Sequence, residues 1–85
     1  MADSVLVTVW LKNTSFSADM ELPSNMQIKA LKRQLLKALK EIAPETFNSI
    51  EKIELWEADK KLNEESSLTN SCIWDGSYLT ITAEV

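Results

Sequence analysis

The sequence predicts an α+β fold in which one amphipathic helix packs across a mixed five-stranded sheet. Three observations carry that prediction. Two runs near the N-terminus, 5–11 and 16–22, alternate with the period of a strand. A single run, 28–42, places apolar residues at helical spacing, and two short runs, 53–57 and 78–82, return to alternation after it. With 85 residues, one Gly and two Pro, the chain is expected to form a single domain over residues 1–85 with few irregular loops.

The elements follow in order. Val5, Val7, Val9 and Leu11 share one register of a β-branched, apolar run, which predicts a strand with one face fully buried. Lys12-Asn13-Thr14-Ser15 is a turn cluster, after which Phe16, Ala18, Met20 and Leu22 point inward and Ser17, Asp19 and Glu21 outward. Two strands around a polar turn make a hairpin. Pro23-Ser24-Asn25 then changes the period, and Ser24 with Gln27 three residues on is a capping-box pattern that predicts Ser24 as the N-cap. Ile28, Leu31, Leu35, Ala38, Leu39 and Ile42 fall in a stripe of roughly 100°, with Lys29, Arg33, Lys37 and Lys40 on the solvent side. The helix is predicted over 25–41 and ends at the Pro44 region.

After a connector at 44–47, Ile53-Glu54-Leu55-Trp56-Glu57 reads as a third strand. The polar turn 58–61 leads to Leu62, which heads a very short fourth strand. Residues 63–72 read as a loop with a helical turn near Leu68, Asp75-Gly76 as a tight turn, and 78–82 as the last strand. The lone helix must bury its stripe on one face of the sheet, because no second helix is long enough to cover it. The first and last strands are expected side by side and parallel at the sheet centre, joined by a crossover that includes the helix. That arrangement is a β-grasp.

Composition narrows the function. One cysteine, Cys72, cannot form an intramolecular disulfide and fits a reducing compartment. The first residues show no signal peptide, and no apolar run approaches the roughly 20 residues that span a bilayer, so a cytoplasmic location is expected. A net charge of −4 argues against nucleic acid as a partner. That charge is split: residues 1–40 carry six basic residues against three acids, and residues 41–85 carry three against ten. The split marks either plain solvated faces or an oriented docking surface.

Catalytic machinery is missing. The chain has no histidine to act as a base near neutral pH, too few cysteines for a zinc or iron–sulfur centre, and a single glycine, which cannot build a phosphate-binding loop. Cys72 is expected to be a small, partly buried thiol beside Ile73, and Glu64-Glu65 a solvated acidic pair. No enzyme activity, metal or cofactor is expected.

What remains is surface. If Val5 to Leu11 of odd number face the helix, then Leu6, Thr8 and Trp10 face away, as do Glu54 and Trp56 in the third strand and Tyr78, Thr80 and Thr82 in the last. Two outward tryptophans are unusual on a monomer's surface and typical of residues that dominate interfaces. They are read as anchors for a protein partner, with Thr80 and Thr82 beside them. The competing reading has each ring lying flat on its strand as a shield. Trp74 is expected to close one end of the core, and Lys29, Arg33, Lys37 and Lys40 form a secondary basic surface. Monomer and weak homo-oligomer both remain open.

Over Leu62–Thr82 the chain resembles ubiquitin: Leu62, Leu68, Ile73, Leu79 and Ile81 keep its apolar spacing, and Ser67-Leu68-Thr69-Asn70 looks like its Thr-Leu-Ser-Asp. Within that superfamily Val7-Thr8-Val9, Asp19-Met20-Glu21-Leu22-Pro23, Gln27-Ile28-Lys29-Ala30-Leu31 and Asp75-Gly76-Ser77-Tyr78-Leu79 resemble the YukD/EsaB proteins. These are ubiquitin-like components of bacterial type VII secretion systems. The resemblance implies a sheet order of 2-1-5-3-4, with Trp10, Thr80 and Trp56 in a row and Trp56 where ubiquitin carries the central isoleucine of its binding patch. It also implies a non-catalytic accessory protein with secretion-system partners; the alternative is a generic ubiquitin-like interaction module or a fragment of a larger protein, and neighbouring genes for an FtsK-type ATPase and small secreted helical-hairpin proteins separate the two. Ubiquitin and the sulfur carriers end in Gly-Gly, whereas this chain ends Thr82-Ala83-Glu84-Val85, so conjugation and sulfur transfer are not expected.

Overall fold

The computed structural model describes residues 3–84. Strands β1 (Ser4–Leu11) and β2 (Ser17–Pro23) form an antiparallel hairpin whose register runs from Ser4↔Pro23 to Trp10↔Ser17. Asn13, at φ 68°, supplies the left-handed residue in its turn, a conformation that Asn tolerates better than most side chains. Thr14 closes the turn by donating from its amide and hydroxyl to the Leu11 carbonyl, at 3.1 and 2.7 Å.

Helix α1 spans Ile28–Ile42, beginning three residues later than predicted and ending one later. Ser24 is not its N-cap; Gln27 holds that position without a side-chain capping bond. The first free amides are satisfied from a distant loop instead, Ile28 donating to the Ser66 carbonyl at 2.8 Å and Lys29 to Glu64 at 3.2 Å. Ser24 is buried, and its carbonyl accepts from both the amide and the hydroxyl of Thr69. The capping pattern marked where the chain turns, but a long-range contact took over the capping.

A short helix, α2 (Pro44–Phe47), follows directly, with Pro44 in the first turn, where its missing amide costs nothing. Phe47 is fully buried and meets Phe16 edge-on, ring centres 5.1 Å apart at 78°. Ile42 belongs to the apolar stripe by angle yet is 57% exposed, because the chain turns away at Ala43 and Phe47 and Ile50 close that end of the core.

Strands β3 (Lys52–Glu57), β4 (Lys60–Lys61) and β5 (Tyr78–Glu84) complete a five-stranded sheet of order β2-β1-β5-β3-β4. β5 runs parallel to β1 from Thr8↔Tyr78 to Leu11↔Ile81 and antiparallel to β3 from Lys52↔Glu84 to Trp56↔Thr80. Leu62 does not head β4 but follows it, buried, with its amide donating to the Leu55 carbonyl at 2.9 Å. The helical turn near Leu68 is present, with the Ser71 amide bonded to the Ser67 carbonyl. This is the ubiquitin-like β-grasp, with one helix on one face of a mixed sheet.

Two residues of the final loop depart from expectation. Cys72 is exposed, because it occupies a left-handed position at φ 60° that turns its side chain away while Ile73 enters the core. Trp74 is 61% exposed and closes nothing; Leu68 and Ile73 already fill that end of the core. Gly76, at φ 88°, takes the turn conformation that only glycine adopts without strain.

Candidate protein-binding site on the outer face of the sheet

Strand alternation and register together build the site. Directly opposed residues point to the same face, so the pairings Trp10↔Ser17, Trp10↔Thr80, Trp56↔Thr80 and Trp56↔Lys61 lay Ser17, Trp10, Thr80, Trp56 and Lys61 in one row across the face opposite α1. Thr82 lies one step along β5, in register with Glu54. The four residues singled out from the sequence, Trp10, Trp56, Thr80 and Thr82, therefore lie together. With Lys12, Ala58 and Asp59 they line a shallow groove of about 330 Å³.

Neither indole N–H is left unpaired. Trp10 Nε1 donates to the Thr14 carbonyl at 2.9 Å, and Trp56 Nε1 donates to Thr82 Oγ1 at 3.0 Å. These bonds fix the rings in place. Trp10 nonetheless keeps 37% of its surface exposed, while Trp56, Thr80 and Thr82 are half-buried. A pinned, partly exposed aromatic loses little conformational entropy on binding, which is the preorganisation an interface anchor needs.

The same face carries more apolar surface than was assigned from the sequence. Leu6 is 52% exposed and Tyr78 71%, at the far end of β1 and β5 from the tryptophans. The Trp74–Ser77 turn is tied to Leu6: the Leu6 amide donates to Asp75 Oδ1 and the Gly76 amide to the Leu6 carbonyl, both at 2.8 Å. Strand parity already placed Leu6 and Tyr78 outward.

Lys29, Arg33 and Lys37 are exposed on α1 and Lys40 is half-buried. Lys29 pairs with Glu65 at 3.5 Å, and among the described residues no ion pair engages Arg33, Lys37 or Lys40. A groove of about 390 Å³ runs between this side of α1 and β3, lined by Lys29, Lys32, Arg33, Leu36, Lys52 and Glu64 among others. Its charges are largely used up internally. Lys32, only 6% exposed, donates to Glu54 at 2.7 Å and to Glu64, and Glu54 also meets Lys52 and Lys61 at 3.8 and 3.7 Å.

This cluster corrects two expectations. Glu64 and Glu65 are not simply solvated, since each holds a helix lysine, and Glu54 is nearly buried although its parity points it outward. β4 covers β3 only at Trp56 and Glu57, so Glu54 lies on an open stretch of edge that a helix side chain can reach. Burial works to lower the Lys32 pKa, but hydrogen bonds and charge from Glu54 and Glu64 outweigh it and raise the value above 10.5. The Lys32 ammonium in turn lowers the Glu64 pKa. A signal for Lys32 existed: on a helical wheel it projects about 20° from Leu39. Among the described residues no group of three or more His, Cys, Asp or Glu side chains could hold a metal ion, and no helix is long and apolar enough to cross a membrane.

No family model matches the chain, and no curated protein does. Solved structures match closely in shape. The ubiquitin-like domain of the type VII secretion protein EccD1 from Mycobacterium tuberculosis superimposes with a TM-score of 0.75 at 20% identity, covering 96% of this chain and 99% of that one. The EccD5 ubiquitin-like domain from Mycobacterium xenopi gives 0.79 at 19%, covering 98% and 97%. A chain of the MycP5-free ESX-5 inner membrane complex gives 0.78 at 20%; the match takes in 99% of this chain but 22% of that larger one. At these identities the likeness establishes the ubiquitin-like fold.

Proposed function

We propose that this chain is a non-conjugated ubiquitin-like interaction module of a type VII, ESX-like secretion system. It acts from the cytoplasmic side, by presenting its outer sheet face to a protein component of that system. The observation that carries the reading is the row of Trp10, Thr80 and Trp56, with both rings held by hydrogen bonds and Trp10 still open to solvent. Thr82 belongs to the surface as the residue that positions Trp56. The secretion assignment draws support from the shape shared with the two EccD ubiquitin-like domains and with the ESX-5 inner membrane complex chain. Lys29, Arg33, Lys37 and Lys40 serve as a secondary basic surface. The proposal includes no catalysis; Val85, the last residue of the Thr82-Ala83-Glu84-Val85 stretch, lies outside the described residues.

The test is affinity capture of the protein at native expression, with Trp10→Ala/Trp56→Ala as comparator and circular dichroism to establish that the variant folds. The wild type is expected to retain a secretion-system component, such as its membrane ATPase, and the variant to lose at least tenfold of it. Equal capture by a folded variant would refute the surface. Chromosomal neighbours without an FtsK-type ATPase or small helical-hairpin substrates would refute the secretion assignment, and a shifted intact mass would reveal conjugation.

A further inference from the structure

β2 ends the sheet, and its outer edge has a definite hydrogen-bonding pattern. The Leu11 amide bonds to the Phe16 carbonyl, while Thr8 and Lys12 donate to Ser77 and Ile81 on the β5 side. Backbone polar groups alternate along a strand. Odd-numbered residues of β1 therefore serve β2, even-numbered residues of β2 answer them, and Ser17, Asp19 and Glu21 turn their amides and carbonyls outward. Among the described residues no backbone hydrogen bond reaches those six groups from the far side.

Natural edges are usually blunted by brevity, lysine, a bulge or an internal proline. β2 is seven residues long, carries no lysine, has its only proline at the end, and keeps an unbroken register with β1; charge alone guards it, in the carboxylates of Asp19 and Glu21, which repel an acidic strand and not a basic one. Below the edge, on the helix side, a groove of about 310 Å³ lies between β2 and α1, floored by Met20, Leu22, Leu31, Leu35 and Ala38. Above it, on the outer face, Asp19 and Glu21 are exposed and, among the described residues, engage in no ion pair. Among the described residues Asp19 accepts one side-chain bond, from the Thr8 hydroxyl at 2.6 Å.

We propose that the β2 edge receives an extended segment of a partner protein in which apolar and basic residues alternate. Pairing would satisfy the outward groups of Ser17, Asp19 and Glu21. It would drop the apolar side chains into the groove over Met20 and Leu35, and set Lys or Arg directly opposite Asp19 and Glu21. A second copy of β2 is the wrong occupant, because an antiparallel β2–β2 pair brings carboxylates against carboxylates. The edge is separate from the tryptophan row and stands or falls independently of it.

The probe is a seven-residue peptide alternating Lys and Val, titrated into the isotopically labelled 85-residue chain and followed by amide and methyl shifts. Expected shifts centre on the Ser17, Asp19 and Glu21 amides and the Met20 and Leu35 methyls. N-methylation of the peptide on its pairing side abolishes binding while leaving the protein untouched. Asp19→Lys/Glu21→Lys weakens it about tenfold and transfers preference to a Glu-Val peptide, and Trp10→Ala leaves it unchanged. Absence of binding at millimolar peptide, equal binding of the N-methylated or Glu-Val peptide to the wild type, or shifts centred on Trp10 and Trp56 would each overturn the proposal.

Discussion

The inner and outer faces of the central strands are made by the same residues in alternation and have opposite environments. On the inner face Val7, Val9, Leu55, Leu79 and Ile81 are at most 1% exposed beneath α1. On the outer face Leu6, Trp10 and Tyr78 range from 37% to 71%. A strand of period two lets one sequence separate stability from recognition, since a change at one residue acts on one face and leaves its neighbours' face alone. An inner residue gains its energy from burial with many neighbours. An outer one gains it only when something arrives.

That contrast can be broken in graded steps. Leu79→Ala should have the largest effect, costing about 3 kcal/mol in urea unfolding through lost burial and the cavity left in the core; a cost below about 1 kcal/mol would show that the inner face is not close-packed. Next comes Lys32→Met, expected to cost about 2 kcal/mol because it leaves the nearly buried Glu54 carboxylate without its best partner. Adding Glu54→Leu should recover most of that loss.

The same cluster predicts a pH dependence whose sign follows from its shifts. The Lys32 pKa is raised, so its contribution is intact below 10.5 and is lost only as pH climbs through the higher folded value. The Glu64 pKa is lowered, so its contribution is intact above 4.5 and is lost as pH falls through the lower folded value. Urea midpoints of the wild type should fall at both extremes, and Lys32→Met should remove part of each fall. The smallest effect belongs to the outer face: Trp10→Ala should change stability by no more than about 1 kcal/mol, the worth of one exposed hydrogen bond and partial burial. A larger cost would mean that its ring shields the sheet rather than waiting for a partner.

Several features were legible because they depend on local periodicity. The outward row was readable as soon as β1, β3 and β5 were recognised, since parity assigns faces and the β-grasp order brings Trp10, Thr80 and Trp56 into line. Lys32 was missed because its charge outweighed its angle: a lysine inside a buried stripe reads as surface until the carboxylates that neutralise it are found, and Glu54 and Glu64 lie 22 and 32 residues away. Ser24 was misread for a related reason. Its spacing to Gln27 met the capping rule, yet the helix begins only at Ile28, where carbonyls of the 64–66 loop take the first amides.

The sequence by itself determined the strands and the main helix, their order, which strand side chains face inward, and the absence of a histidine base or multi-cysteine centre. These follow from period, propensity and residue identity, which are properties of neighbouring residues. Tertiary structure alone decided where the helix truly begins, which charge is buried, and that Cys72 and Trp74 turn outward. Each of those depends on a group far along the chain arriving, or failing to arrive, at hydrogen-bonding distance, and no local pattern records such an encounter.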